Sequence, residues 1–273
     1  MQTPPPLPGN IPIPASRARW SIHLLLVTAY IVLIGFLGMQ RKPSHTPALL
    51  HGARGLLLVC GTELLVFGAV LGLACWISKA TRDDLLLRWR GKLLPVWLGI
   101  GYSFAIRIAV GLVLSVVLAA VAIVLMATHI WSVDSLDSFV KMHKPDPTTL
   151  VDMAAMANDP AYFWLTVTFA SFVVAGLREE LWRSAFLAGM RSIWPRAFGS
   201  RGGQIMAVCI AAVPFGAAHL PMGPLAAVSA GLLGIALGVI MVCHRSIWPA
   251  VIAHGCFDAA TFAALPWLMK HFK

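Results

Sequence analysis

Ionisable side chains set inside long apolar stretches are the residues of this chain that could do chemistry. They are Glu63, Arg107, the run Arg178, Glu179, Glu180 and Arg183, then His219, His254 and Asp258. A charge at membrane depth costs about 2.5–3.5 kcal/mol on insertion scales, so each such group is a functional candidate by default. In the stretch LREELWRSAFLAG, Arg183 follows Glu179 by four residues and Glu180 by three, within reach of both on one helix. A cation there neutralises one carboxylate and leaves the other as a candidate general base. The plainer alternative is a charged turn at the headgroups, with Arg178 and Arg183 snorkelling out of the apolar layer.

Two further elements have helical spacing. In PFGAAHLP, Phe215 and His219 are four apart and share a helix face; in AHGCFDAA, His254 and Asp258 are four apart. A histidine and a carboxylate so placed can hold one metal, or one can orient the other as base and acid. Taken singly, a histidine on an apolar helix is more often a hydrogen-bonded packing residue. Taken together, two acids, two histidines and an aspartate in apolar helices demand mutual contact. Three helices turning their polar faces inward would form a buried, water-holding pocket, the material for activating water against an amide.

The elements that position these groups are membrane helices. Of 273 residues 59% are apolar and 12% charged, against roughly 25% charged in soluble domains. The net charge of +10 is carried between apolar runs, with no basic stripe, which argues against nucleic-acid binding. Cys60, Cys75, Cys209, Cys243 and Cys256 have no CxxC spacing and lie in apolar sequence, so neither a disulfide framework nor a zinc knuckle is expected. Apolar runs at 21–38, 55–78, 93–126, 161–190, 204–222, 225–243 and 247–268 predict an all-α polytopic bundle of seven or eight transmembrane helices. The 93–126 run, with Gly99, Gly101 and Arg107, is long enough to hide a break, as is 161–190.

The expected organisation is a proline-rich disordered tail over 1–20, N-terminal transmembrane helices over 21–160 with an acidic loop at 128–160, a core over 161–268 bearing the polar residues, and a short tail at 269–273. Basic residues at 79–92 and after Met190 place those segments on the cytoplasmic side, although the basic 41–54 loop disagrees. No internal repeat is visible, and without one a transporter using Glu63, Arg107 and the later cluster is disfavoured; Glu63 and Arg107 could instead pair with each other.

The order of a Glu-Glu-Arg element, Phe-x-x-x-His and His-x-x-x-Asp on successive apolar helices resembles the CPBP intramembrane protease family, which includes type II CAAX prenyl endopeptidases and bacterial Abi proteins linked to bacteriocin immunity. The likeness covers roughly residues 160–268. It implies a glutamate- or metal-dependent peptidase in which Glu179 and His219 activate water and Glu180 and Arg183 support the first helix, with Phe215 on the second. It further implies His254 as the oxyanion donor, with Asp258 holding its ring. The resemblance leaves open whether a divalent metal such as zinc is held by Glu179, His219 and His254, as in a metalloendopeptidase. The family pattern puts the arginine five residues after the first glutamate, whereas here that position is Ser184 and Arg183 is one step early. Aligning on Arg183 would put Arg178 in place of the catalytic glutamate, as in an inactive relative that binds a peptide or partner protein. The resemblance thus implies a multi-pass protein of the plasma membrane, in contact with lipid, acting on a membrane-anchored peptide or protein such as a prenylated CAAX-like one.

Overall fold

A computed structural model describes residues 16–39, 51–130, 132–143 and 150–271. Among these the chain is helical, without strands. Each apolar run closes its backbone hydrogen bonds within itself, as the hydrocarbon requires. The helices are α1 (Arg17–Met39), α2 (Gly52–Ser78), α3 (Leu94–Ala127), α4 (Val133–His143), α5 (Met153–Asn158) and α6 (Pro160–Leu165), followed by a π-helical segment (Thr166–Arg178) that runs straight into α7 (Glu179–Ile193). After these come α8 (Pro195–Phe198), α9 (Arg201–Ala217), a 3-10 turn (Leu220–Met222), α10 (Pro224–His244) and α11 (Trp248–His271).

Among the described residues six helices are long and apolar enough to cross a membrane, against the seven or eight expected. Two features account for the difference. The 93–126 run does not break: α3 is one helix of 34 residues, and Gly99 lies against Ile252 of α11. The 204–222 run forms only the 17 residues of α9, with Pro214 inside it, before the chain turns at the 3-10 segment. The 161–190 run does change character, from π to α at Glu179. The tail boundary also moves, because α1 starts at Arg17 and buries Trp20; residues 1–15 of the expected tail lie outside the described residues. At the other terminus α11 continues through His271, past the expected end at 268.

Local chemistry sets the helix ends. Asp152 and Asp159, part of the acidic loop, cap α5 and α6 by accepting from the first free backbone N–H groups, and Ser200 does the same for α9. His51, at the start of α2, is hydrogen-bonded to Asp152 at 2.8 Å. This bond, with the Ala155 and Ala154 N–H groups, holds the Asp152 carboxyl below its ordinary range. A depressed carboxylate adds stability above its unfolded pKa and loses it as pH falls through the folded one, so this tie persists at neutral pH and fades only in acid.

The contacts define two ends of the bundle. Arg191 of α7 reaches Asp84 of the 79–93 loop, Ile247 donates to Leu86 O, and Arg201 donates to Cys243 O. The basic 79–92 loop, the 191–201 segment and the α10–α11 turn therefore share one end, and the His51–Asp152 contact lies at the other. α7 packs on α1, α9 and α10, while the π segment packs on α11. Trp182, Phe186, Val208 and Phe215 join Val27 and Phe67 in the core. Outward-facing side chains such as Leu65, Trp97, Ile108 and Val213 are apolar and exposed, as a lipid-facing surface requires.

Helix approach depends on missing side chains. A Cβ on Gly216 of α9 would come within 2.7 Å of Ala227 O on α10, and there is no flexible side chain to give way. Gly202 of the same helix has nothing within 4 Å. Gly216→Ala is expected to destabilise the protein by about 1–3 kcal/mol through forced separation of α9 and α10, whereas Gly202→Ala is neutral or stabilises by up to about 1 kcal/mol. Thermal unfolding of both variants in detergent, side by side, measures the contrast.

Candidate active site

The polar residues of α7 and α11 meet inside the bundle, with Phe215 of α9 beside them. At a rise of 1.5 Å per residue, Glu179 lies about 21 Å from the end of α7 and Asp258 about 15 Å from the start of α11. Both helix ends are at the basic end of the bundle, so the cluster sits near the middle of a hydrocarbon layer about 30 Å thick.

Glu180 and Arg183 form an ion pair with both side chains fully buried. The guanidinium also lies over the Phe215 ring, 4.9 Å from its centroid. Room for it comes from α10, where a Cβ on Gly234 would approach Arg183 Nη2 at 3.4 Å and one on Gly238 would approach Cδ at 3.1 Å. Glu180 Oε1 also accepts from His254 Nδ1 at 3.1 Å. Since a carboxylate accepts, this bond places a proton on Nδ1. The opposite ring nitrogen, Nε2, faces Glu179 Oε2 at 3.8 Å and Asp258 Oδ2 at 3.7 Å. Both distances exceed a direct hydrogen bond and leave room for a bridging water between Nε2 and the two carboxylates.

Glu179 is held differently from its neighbour. Its side chain is 17% exposed and its Oε1 is bound by Arg178 at 3.1 Å. The other end of the same guanidinium binds Glu63 Oε2 of α2 at 2.5 Å. Tyr30, Arg178, Glu179, Trp182 and Phe215 are among the walls of a cavity of about 30 Å³, enough for one or two waters at roughly 10–15 Å³ of occupied volume each. The π segment ends immediately before this residue. Such wide turns occur mostly at functional sites. Here the π segment packs against α11, where Gly176 comes close to Val251 O and Phe172 lies over Gly255.

His219 stands after the end of α9. Its Nδ1 bonds Phe215 O at 2.8 Å. A carbonyl only accepts, so Nδ1 carries the proton and Nε2 of the neutral ring is an acceptor. Its ring lies 5.0 Å from that of Phe215, and His219 is close enough to Asp258 to interact with its charge.

The geometry departs from several expectations. The expected contact between Glu179 and His219 is absent among the described residues; His254 is the histidine against both glutamates. Asp258 makes no hydrogen bond to the His254 ring, because Glu180 holds Nδ1 instead. Glu63 and Arg107 do not pair. Arg107 donates to Phe257 O at 2.6 Å and to Thr261 Oγ1 at 3.2 Å, and covers the Phe257 ring. Glu63 takes Arg178 because Arg183 is already committed to Glu180, leaving Arg178 as the cation in need of a second acid. Ser184, at the position where the family pattern has arginine, is buried and donates to Leu85 O at 2.5 Å. Tyr30 carries no chemical signature in an apolar run and was not foreseen.

A metal does not fit these side chains as they stand. No group of three or more His, Cys, Asp or Glu among the described residues converges on one point.

Removing one member of a buried pair strands the other, at a cost of about 3–5 kcal/mol. Arg183→Leu should therefore lower the unfolding free energy by that amount. The double change Glu180→Gln with Arg183→Leu should recover part of it. Denaturant titration of detergent-solubilised protein provides the comparison.

Residues 160–260 match a family model described as type II CAAX prenyl endopeptidase Rce1-like. No curated protein and no solved structure gives a match. The matched segment contains α6, the π segment, α7, α9, α10 and most of α11, and so includes Glu179, Glu180, Arg183, Phe215, His219, His254 and Asp258. These residues all fall within the segment 160–260, which is thus similar to the Rce1-like type II CAAX prenyl endopeptidases and supports a protease of the CPBP kind in a chain of apolar, membrane-length helices.

Proposed function

We propose that the protein is an intramembrane endopeptidase that hydrolyses a peptide bond near the membrane anchor of a lipid-embedded peptide or protein, with a prenylated CAAX-like C-terminus as the preferred substrate class. The observation that carries this reading is the grouping of three carboxylates around the buried His254 ring, with Glu180 at Nδ1 and Glu179 and Asp258 facing Nε2. The similarity of the same segment to the Rce1-like endopeptidases adds support.

In this mechanism Glu179 is the general base. A water bonded to Glu179 Oε2 and to the nearby His254 Nε2 gives up a proton to the carboxylate as it attacks the substrate carbonyl. A proton on His254 Nε2 then stabilises the developing oxyanion, Asp258 balances that charge, and Glu179 passes the proton taken from water to the leaving amine as the C–N bond breaks. His219, with Nδ1 tied to Phe215 O, offers Nε2 as a second acceptor for the water. Glu180 and Arg183 touch no reacting atom: they hold the ring of His254 and the face of Phe215. The positive end of the bundle faces the cytoplasm, and the plasma membrane is the proposed location.

A second reading is a non-catalytic relative that binds a membrane peptide or partner protein, in the manner of an immunity protein. The ion pair between Arg178 and Glu179 favours it, since a carboxylate held by a guanidinium is a weaker base.

The decisive assay uses the full chain in liposomes with quenched-fluorescent peptides, one set farnesylated at a C-terminal cysteine and one unmodified. Glu179→Ala and His254→Ala should each reduce cleavage at least about 100-fold, with His219→Ala also impaired. Undiminished turnover in Glu179→Ala would remove the proposed base. Peptide binding without cleavage by the unaltered protein, unchanged in Glu179→Gln, would establish the second reading.

A further inference from the structure

The basic end of the bundle contains a cleft that the proteolytic reading does not use. It measures about 240 Å³ and is lined by Asp83, Leu86, Arg88, Arg90 and Arg245. Its two walls come from distant parts of the chain, the loop before α3 and the turn between α10 and α11. They are fastened to each other: Ile247 N–H donates to Leu86 O at 3.0 Å, Ser246 Oγ to Arg88 O at 3.0 Å and Trp248 Nε1 to Leu87 O at 2.9 Å. The arginines are therefore presented on fixed backbone.

The charges do not balance. Arg88 is paired with Asp83. Among the described residues no carboxylate lies within ion-pair distance of Arg90 or Arg245. Arg245 also occupies a left-handed conformation at the C-cap of α10, with φ 50°, and so does Leu86, with φ 54°. That conformation is strained for a non-glycine residue. Glycine would relieve the strain at 245 but would remove a cation from the cleft.

The rim of the cleft is apolar and aromatic. Trp89 and Trp248 stand with ring centroids 5.3 Å apart, and Leu93, Leu94 and Trp97 at the start of α3 are all more than half exposed. Paired tryptophans beside cations, where helices leave the hydrocarbon, match the layered chemistry of a phospholipid, in which an anionic headgroup sits above acyl chains.

We propose that this cleft binds the phosphodiester headgroup of an anionic phospholipid through Arg90 and Arg245, with Arg88 as a third cation partly offset by Asp83. A free phosphate shares the anion chemistry but has no use for the tryptophan and leucine rim, which favours the lipid.

Native mass spectrometry of the full chain, released from mixed phosphatidylcholine and phosphatidylglycerol, tests the assignment. One phosphatidylglycerol should be retained per chain in preference to phosphatidylcholine. Each surface arginine contributes about fivefold, so Arg90→Gln and Arg245→Gln should each weaken retention about fivefold and the double variant about 25-fold. Asp83→Asn should strengthen it by freeing Arg88. The same charge loss at the opposite end, Lys141→Gln with Lys270→Gln, should change nothing. Both arginines are exposed, and matched thermal unfolding of each single variant will verify an intact fold. Undiminished retention in the double variant, or an equal loss in the lysine control, overturns the proposal. Displacement of the bound lipid by excess inorganic phosphate overturns the lipid assignment and leaves a soluble-anion site.

Discussion

The fully buried ion pair between Glu180 and Arg183 is the constraint on which the arrangement of this protein depends. Neither charge can reach water, so each must be satisfied inside the bundle. The demand organises four helices. α7 supplies both charges, α9 lays Phe215 under the guanidinium, α10 clears a groove with Gly234 and Gly238, and α11 brings His254 to the same carboxylate oxygen that Arg183 holds. A helix displaced by an ångström would weaken the few contacts that offset the burial of this pair, which favours one register of the bundle over others of equal apolar contact.

The two adjacent glutamates acquire different roles from this arrangement. Glu180 faces inward and is consumed by structure. Glu179, rotated by about 100° on the same helix, faces the small cavity beside Tyr30 and keeps one oxygen toward His254. Arg178 then anchors Glu179 to α2 through Glu63, so residues outside the matched segment hold part of the site. The first half of the chain thus acts on the site through Tyr30 and Glu63, in addition to forming lipid-facing helices.

Hydropathy made the helices legible because a membrane span must be both apolar and about 20 residues long. Their number was less legible than their positions: α3 tolerates glycines and an arginine without breaking, since Arg107 finds Phe257 O and Thr261, and α9 has only 17 residues. The membership of the polar cluster was also readable, because charged groups at depth must meet one another. Their pairing was not. Spacing along a helix identifies a shared face, and Arg183 with Glu180 follows from it, but nothing in one sequence says which of two histidines on separate helices turns toward the glutamates. The π segment was invisible for a related reason: its residues have no composition distinct from α-helix, and the wide turn is imposed by packing against α11.

The shortness of α9 has a consequence for the surrounding bilayer. Its 17 residues extend about 25 Å, some 5 Å less than the hydrocarbon they stand in. Such a mismatch is met by thinning of the leaflet or by sinking of the polar turn that follows, each at a fraction of a kcal/mol per ångström. Because that turn begins with His219, any such thinning would fall beside this histidine, at the end of the bundle opposite the basic loops.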